Sequence, residues 1–193
     1  MNLMKQIYPA VAITVVLTVL LGVAYPLTVT GLAYVMFPAK SKGSLIEKDG
    51  KIVGSHLIGQ PFTGPGYFHS RPSAAGSGYD ATASAGTQLG PTSQKLFETN
   101  VKTAAGELHE ENPNAPIPVD LVTSSASGLD PHITPAAAAF QIQRVAKERG
   151  LSEGEVRRLV RDHTDGRQFG LLGEPRVNVL ELNLALNQIQ SSE

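Results

Sequence analysis

Ser124-Ser-Ala-Ser-Gly-Leu-Asp-Pro-His-Ile-Thr134 gathers the side chains best suited to chemistry. Thr134 directly precedes Pro135, and that pair marks a helix start: the threonine caps free N–H groups and the proline suits the first helical position. Ser125, Ser127 and Gly128, with the N–H groups of that helix start, could together receive an anion such as phosphate. Asp130 and His132 have the types and spacing of an acid–base pair, or of half a metal site. Ser127 with Asp130 and His132 supplies the residue types of a tethered hydrolase. The same residues also suit a structural loop, in which Asp130 and the hydroxyls satisfy backbone donors around two prolines. On the residues alone these readings stay open.

Other machinery is absent. The sequence holds no Walker A loop, no His-Glu-x-x-His and no Gly-x-Ser-x-Gly elbow. It also lacks a Thr-Val-Gly-Tyr-Gly potassium filter and the Asp-Lys-Thr-Gly-Thr phosphorylation loop of P-type pumps. His56, His69, His109, His132 and His163 are scattered without ligand spacing, so no metal site is expected. There is no cysteine, which removes disulfides and thiolate ligands.

Two further segments invite a partner. Tyr67-Phe-His-Ser-Arg71-Pro72 is aromatic and ends at a proline, and it could pair at a sheet edge. Ser73 to Gly90 is built of small residues. Its glycines, Gly78 and Gly86 among them, suit either a flexible loop or close approach to another surface. Tyr67, His69, Arg71, Gly78 and Gly86 are therefore candidates for a partner-facing surface.

These segments need elements to position them. A tail of residues 1–6 precedes Ile7 to Phe37, which carries no charged residue and no histidine; none occurs between Lys5 and Lys40. A run of that length is a single membrane-spanning helix, since about 20 residues cross a bilayer core. It is too long for a signal h-region, and Phe37-Pro38-Ala39 is a poor cleavage site. Pro26, with Gly22 one turn earlier, invites a kink. A linker, 38–50, leads to one domain, 51–193. There, Lys51–Gln60 reads as a strand, with Leu45-Ile46 its partner across the Asp49-Gly50 turn. Pro91–Glu111 has helical spacing, and Val119–Thr123 has strand composition. Helices follow from Pro135 to Gly150 and, behind a Ser152/Glu155 capping box, from Glu153 to His163. Val179–Ile189 alternates like a strand and repeats like a helix; its length and its Leu, Ala, Asn and Gln content favour helix. The expected class is α+β: one transmembrane helix, then one soluble mixed domain.

Charge is balanced, 16 Lys and Arg against 17 Asp and Glu, with no basic face for nucleic acid. Lysines flank both ends of the apolar run, so charge does not fix orientation.

Nearly the whole chain resembles the C chain of bacterial potassium-transporting ATPases of the Kdp type. The resemblance rests on the N-terminal helix, Gly54–Phe62, Tyr67–Ser73, Leu89-Gly-Pro91, Val119–Pro135, and Gly170–Val179 followed by Leu182–Leu186. It implies a non-catalytic subunit of a high-affinity potassium uptake pump in the bacterial plasma membrane. The implied partners are a channel-like potassium-binding subunit, a P-type ATP-hydrolysing subunit and a small single-helix subunit. It further implies a role in assembly, and one as a catalytic chaperone raising the ATP affinity of the P-type subunit in a ternary complex. No cofactor is expected to bind tightly, and ATP only within that complex, with the 124–134 stretch as the candidate contact. The family's topology puts the soluble domain outside the cytoplasm, whereas ATP is inside, and these two implications conflict.

Overall fold

The computed structural model describes residues 3–190. The chain divides into two compact units between Leu45 and Ile46. In the first, α1 (Leu3–Val19) passes through a π-turn, Leu20–Ala24, into α2 (Tyr25–Met36). The π-turn has a local cause. Pro26 has no N–H to offer Gly22 and its ring would crowd that carbonyl; a wider turn relieves both. Tyr25 N–H accordingly donates to Leu20 O, five residues back. Residues Gln6–Met36 form a helix long and apolar enough to cross a membrane, with none of its apolar window buried inside the chain. Thr14 and Thr28 hide their hydroxyls on Ala10 O and Ala24 O, each at 2.8 Å. A short helix, α3 (Pro38–Ser41), follows.

β1 (Leu45–Lys48) and β2 (Lys51–Ser55) form the expected hairpin. Asp49 and Gly50 both have positive φ, 53° and 73°, as a two-residue primed turn requires. The strand stops at Ser55, short of Gln60.

The 95–111 helix differs from expectation at its start. Pro91 lies in a turn, and the helix opens only at Lys95, as a π-turn (Lys95–Val101) running into α4 (Lys102–Glu111). Neither piece contains a fully buried residue.

The core lies between α5 (Pro135–Arg149), α6 (Glu153–Asp162), α7 (Val179–Gln190) and a small antiparallel sheet. That sheet has the order β3 (His132–Ile133), β5 (Arg176–Asn178), β4 (Thr164–Asp165). Val177 stands opposite both Ile133 and Thr164. Ile142, Val145, Val156, Val160, Val177, Leu182 and Leu186 fill the interior. Complete burial of each such side chain contributes on the order of 2 kcal/mol.

Local signals close these helices. Gly150, at φ 68°, donates to Lys147 O, and Leu151 N–H returns to Ala146 O, a Schellman ending for α5. Ser152 and Glu155 exchange the two hydrogen bonds of a capping box on α6. The last segment is helical, as its composition favours. Asn178 Oδ1 caps it by accepting from Glu181 N–H at 3.2 Å.

Two strand expectations fail. Val119–Leu121 is a 3₁₀ turn in which Asp120 and Leu121 are both buried while Val119 is exposed. Burying two successive residues breaks the two-residue alternation of a strand, and the cause is Asp120, which is drawn inward by Thr134. Nor does Tyr67–Pro72 join a sheet edge; side chains of α5 and α7 hold its backbone instead.

Candidate functional site

The helix start at Thr134 is occupied by the protein's own anion. Thr134 N–H donates to Asp120 Oδ2 at 2.7 Å, and Thr134 Oγ1 donates to Oδ1 at 3.1 Å. The same hydroxyl accepts from Ala137 N–H at 3.1 Å. A buried carboxylate at the positive end of a helix is the charge arrangement expected of a bound phosphate. Here Asp120 supplies it from fourteen residues upstream.

Asp130 is the second polar node. Its Oδ1 accepts from His132 N–H at 3.0 Å and lies 3.3 Å from His132 Nδ1. Its Oδ2 lies 3.5 Å from Arg71 Nη1. The hydrogen bond from the His132 side chain, foremost, holds the carboxyl below its ordinary value of 3.8 against the opposing effect of burial, with the His132 N–H and, least, the Arg71 charge adding to it. Arg71 also donates from Nε to Thr123 O at 3.2 Å and from Nη2 to Thr123 Oγ1 at 3.3 Å and Ser124 O at 3.4 Å. Arg71, Asp130 and His132, with Asp120, Thr134 and Arg176, line an open cleft of about 270 Å³.

Ser127 does not complete a hydrolytic triad. Its Oγ accepts from Leu129 N–H at 3.1 Å and sits 3.4 Å from Ser125 Oγ. Among the described residues no hydrogen bond joins it to His132, and no cluster of three carboxylates or imidazoles could hold a metal.

The small-residue segment packs internally. Ser73 Oγ donates to Gly128 O at 2.6 Å and accepts from Tyr79 N–H at 2.8 Å, and Ser84 Oγ donates to Ser127 O at 2.9 Å. Gly128 has φ 67°, and a Cβ there would lie 2.5 Å from Ala85 O and 2.7 Å from Ala75 N. A Cβ on Gly86 would lie 2.9 Å from Ala126 O. Residues 73–86 and 124–130 are thus two loops pressed backbone to backbone. Gly78, at φ 112°, faces open space.

The other candidates in this group are internal struts as well. Tyr67 lies under the Arg149 guanidinium, 4.4 Å from its ring centre, and its carbonyl accepts from Arg144 at 2.9 Å. His69 Nε2 donates to Gly64 O at 3.1 Å. Burial, chiefly, and the nearby Arg144 charge press its pKa below 6.5.

Sequence reasoning overlooked the amides that hold this segment. Asn183 Oδ1 accepts from Phe68 N–H and its Nδ2 donates to Phe68 O, both at 2.9 Å. Gln141 does the same for His69, at 2.7 and 3.1 Å. A signal existed: Asn183 lies between Leu182 and Leu184, and Gln141 between Phe140 and Ile142. An amide inside an apolar stripe calls for a buried partner. Asp120, between Val119 and Leu121, carried the same signal.

Comparison with known proteins places the sequence in one family along nearly its whole length. Residues 7–188 match the family model described as KdpC, the c chain of K+-transporting ATPase. The potassium-transporting ATPase KdpC subunit of Koribacter versatilis is 61% identical over 96% of both chains. The subunit of the same name from Rhodopseudomonas palustris strain BisB18 is 55% identical, over 96% of this chain and 98% of its own. That from Acidobacterium capsulatum is 54% identical, over 96% of this chain and all of its own. With matches of this extent, the chain belongs to the KdpC family of potassium-transporting ATPase subunits.

Proposed function

We propose that the chain is the non-catalytic C subunit of an ATP-driven potassium uptake complex of the P type, and that it serves to assemble that complex. It spans the bacterial plasma membrane once, through Gln6–Met36, and carries its domain on the extracytoplasmic side. Its partners are the channel-like potassium-binding subunit, the ATP-hydrolysing subunit and the small single-helix subunit. One observation carries this reading: the polar groups of the 120–134 region are engaged with each other. Asp120 holds the helix start, Asp130 is shared by His132 and Arg71, and the Ser127 hydroxyl serves its own loop. A site arranged that way stiffens a surface and leaves no nucleophile poised.

The alternative is the catalytic-chaperone role, in which Ser125, Ser127, Gly128, Asp130, His132 and Thr134 meet ATP in a ternary complex with the ATP-hydrolysing subunit. Asp120 and Asp130 weigh against it, because two carboxylates beside the helix start repel phosphate.

Orientation separates the two readings. The natural chain has no cysteine, so one can be introduced alone. Ser77, exposed and between two glycines, is the place for it; Ser84 is engaged with Ser127 O. We expect a membrane-impermeant maleimide to label Ser77→Cys on intact cells. Labelling only after permeabilisation would overturn the extracytoplasmic reading and put the chaperone role first.

A further inference from the structure

Between β4 and β5 the chain makes an ordered loop whose tip is apolar and bare. Phe169 is 94% exposed, Leu171 80% and Leu172 60%. Elsewhere in this domain large exposed apolar residues such as Val119 sit singly or partly covered, which needs no explanation. Three within four residues, on a folded loop, do.

The loop is built to hold that shape. Gln168 and Leu172 exchange both backbone hydrogen bonds, each at 2.9 Å. Gly170 N–H donates to Arg167 O and Leu171 N–H to Gln168 O, each at 3.1 Å. Phe169 itself is left-handed, at φ 54°, an arrangement that is strained for a bulky side chain and throws it outward. Gly170 and Gly173 supply the other left-handed positions, at 75° and 77°.

The collar below the tip is electrically closed. Arg167 grips both oxygens of Glu174 at 2.7 and 2.8 Å, and Arg176 lies 3.7 Å from Asp165. We infer that Phe169, Leu171 and Leu172 form a preorganised plug that seats in an uncharged, apolar pocket of another protein subunit of the same transporter. The inference rests on the chain being a subunit of that complex. Two features choose a protein over a lipid surface. Each arginine faces a carboxylate across the collar, so its two cations are offset by two anions and draw lipid phosphates only weakly, unlike the basic segments that bind membrane surfaces. A fixed tip also suits a shaped pocket, because its ordering cost is met before binding. A charged partner surface would be mismatched to a collar with no spare charge.

The test uses the full-length chain in its membrane complex, solubilised in detergent and captured through a tag on the ATP-hydrolysing subunit. Phe169→Asn keeps a residue that tolerates the left-handed backbone, and Leu171→Asp places a charge on the exposed tip. We expect recovery of the double variant to fall about tenfold or more, as for loss of an interface anchor, at unchanged membrane abundance. In parallel, p-benzoylphenylalanine replaces Leu171 and the preparation is irradiated. A covalent adduct with another subunit is expected. Undiminished recovery of the double variant, or adducts only with phospholipid or with a second copy of this chain, would overturn the plug while leaving the subunit reading intact. Failure of the wild-type chain to be captured at all would sink the subunit reading and the plug together.

Discussion

Asn183 holds the main chain of Phe68 as a neighbouring strand would, with one hydrogen bond in each direction at 2.9 Å. Asn183 is 1% exposed and Phe68 fully buried, so water cannot replace either bond. Asn183→Leu keeps the branched shape, with bulkier methyl groups, and strands both backbone groups. The expected loss is about 3 kcal/mol, as two buried unpaired groups would give. Denaturant unfolding of the detergent-solubilised chain, followed by circular dichroism, measures it; a loss under 0.5 kcal/mol, within the ordinary range for surface changes, would show that the clamp is dispensable.

Gly128→Ala should be the most damaging single methyl in the 124–134 stretch. The new Cβ would meet the backbone of Ala85 and Ala75, which cannot rotate away, at a positive φ. We expect at least about 2 kcal/mol of destabilisation. Gly78→Ala has open space around it but a φ of 112°, outside the left-handed well that Gly128 occupies, so its cost is backbone strain alone, on the order of 1–3 kcal/mol. A thermal midpoint for Gly128→Ala within error of wild type would rule out the clash with that backbone.

Asp130 makes stability depend on acid pH. Its folded pKa is depressed below 3.8, so the folded state favours its ionised form. That contribution is complete above 3.8 and disappears as pH falls through the lower folded value. Asp130→Asn should therefore melt below wild type at pH 7, and the gap should narrow as pH falls below 3.8 through the depressed folded value. A gap of constant size across that range would assign the difference to packing.

His69 acts in a higher window. Its folded pKa lies below 6.5, so the unfolded chain takes up the proton first. Stability is full above 6.5 and declines as pH drops from there toward the folded value. His69→Gln, which cannot titrate, should lose less stability than wild type between pH 7.5 and 5.5. The comparison is the shift in thermal midpoint of each protein across that interval, and parallel shifts would exonerate the imidazole.

Local chemistry was the legible part of the sequence. The uncharged run to Phe37, the Asp49-Gly50 turn, the Thr134 cap and the Ser152/Glu155 box each depend on residues within a few positions, and each appears where read. Long-range polar pairing was not legible. Asp120 meets Thr134, Arg71 meets Asp130, and Phe68 meets Asn183 across 115 residues; no periodicity encodes such partners. The two misread strands follow from this. Val119–Thr123 had strand composition, but Asp120 turned inward; Tyr67–Pro72 had the aromatic composition of an edge segment, but amide side chains took the place of a neighbouring strand. The 124–134 stretch looked chemical because it is rich in hydroxyls, but those hydroxyls serve their own loop and the helix cap, while its carbonyls accept from Ser73 and Ser84 across the contact with residues 73–86.

The π-turn at Leu20–Ala24 alters which residues share a stripe along the apolar helix. It takes in one residue more than an α-turn, so everything beyond it is set back by about 100° in azimuth. On an unbroken helix Thr28 would stand within about 40° of Thr14. With the extra residue it moves to nearly the far side. A straight helix lying along Thr14 and Thr18 would therefore lose register with this chain at Pro26, and a second neighbour would meet the lower half. The apolar rod presents two faces in series, each able to recognise a different companion.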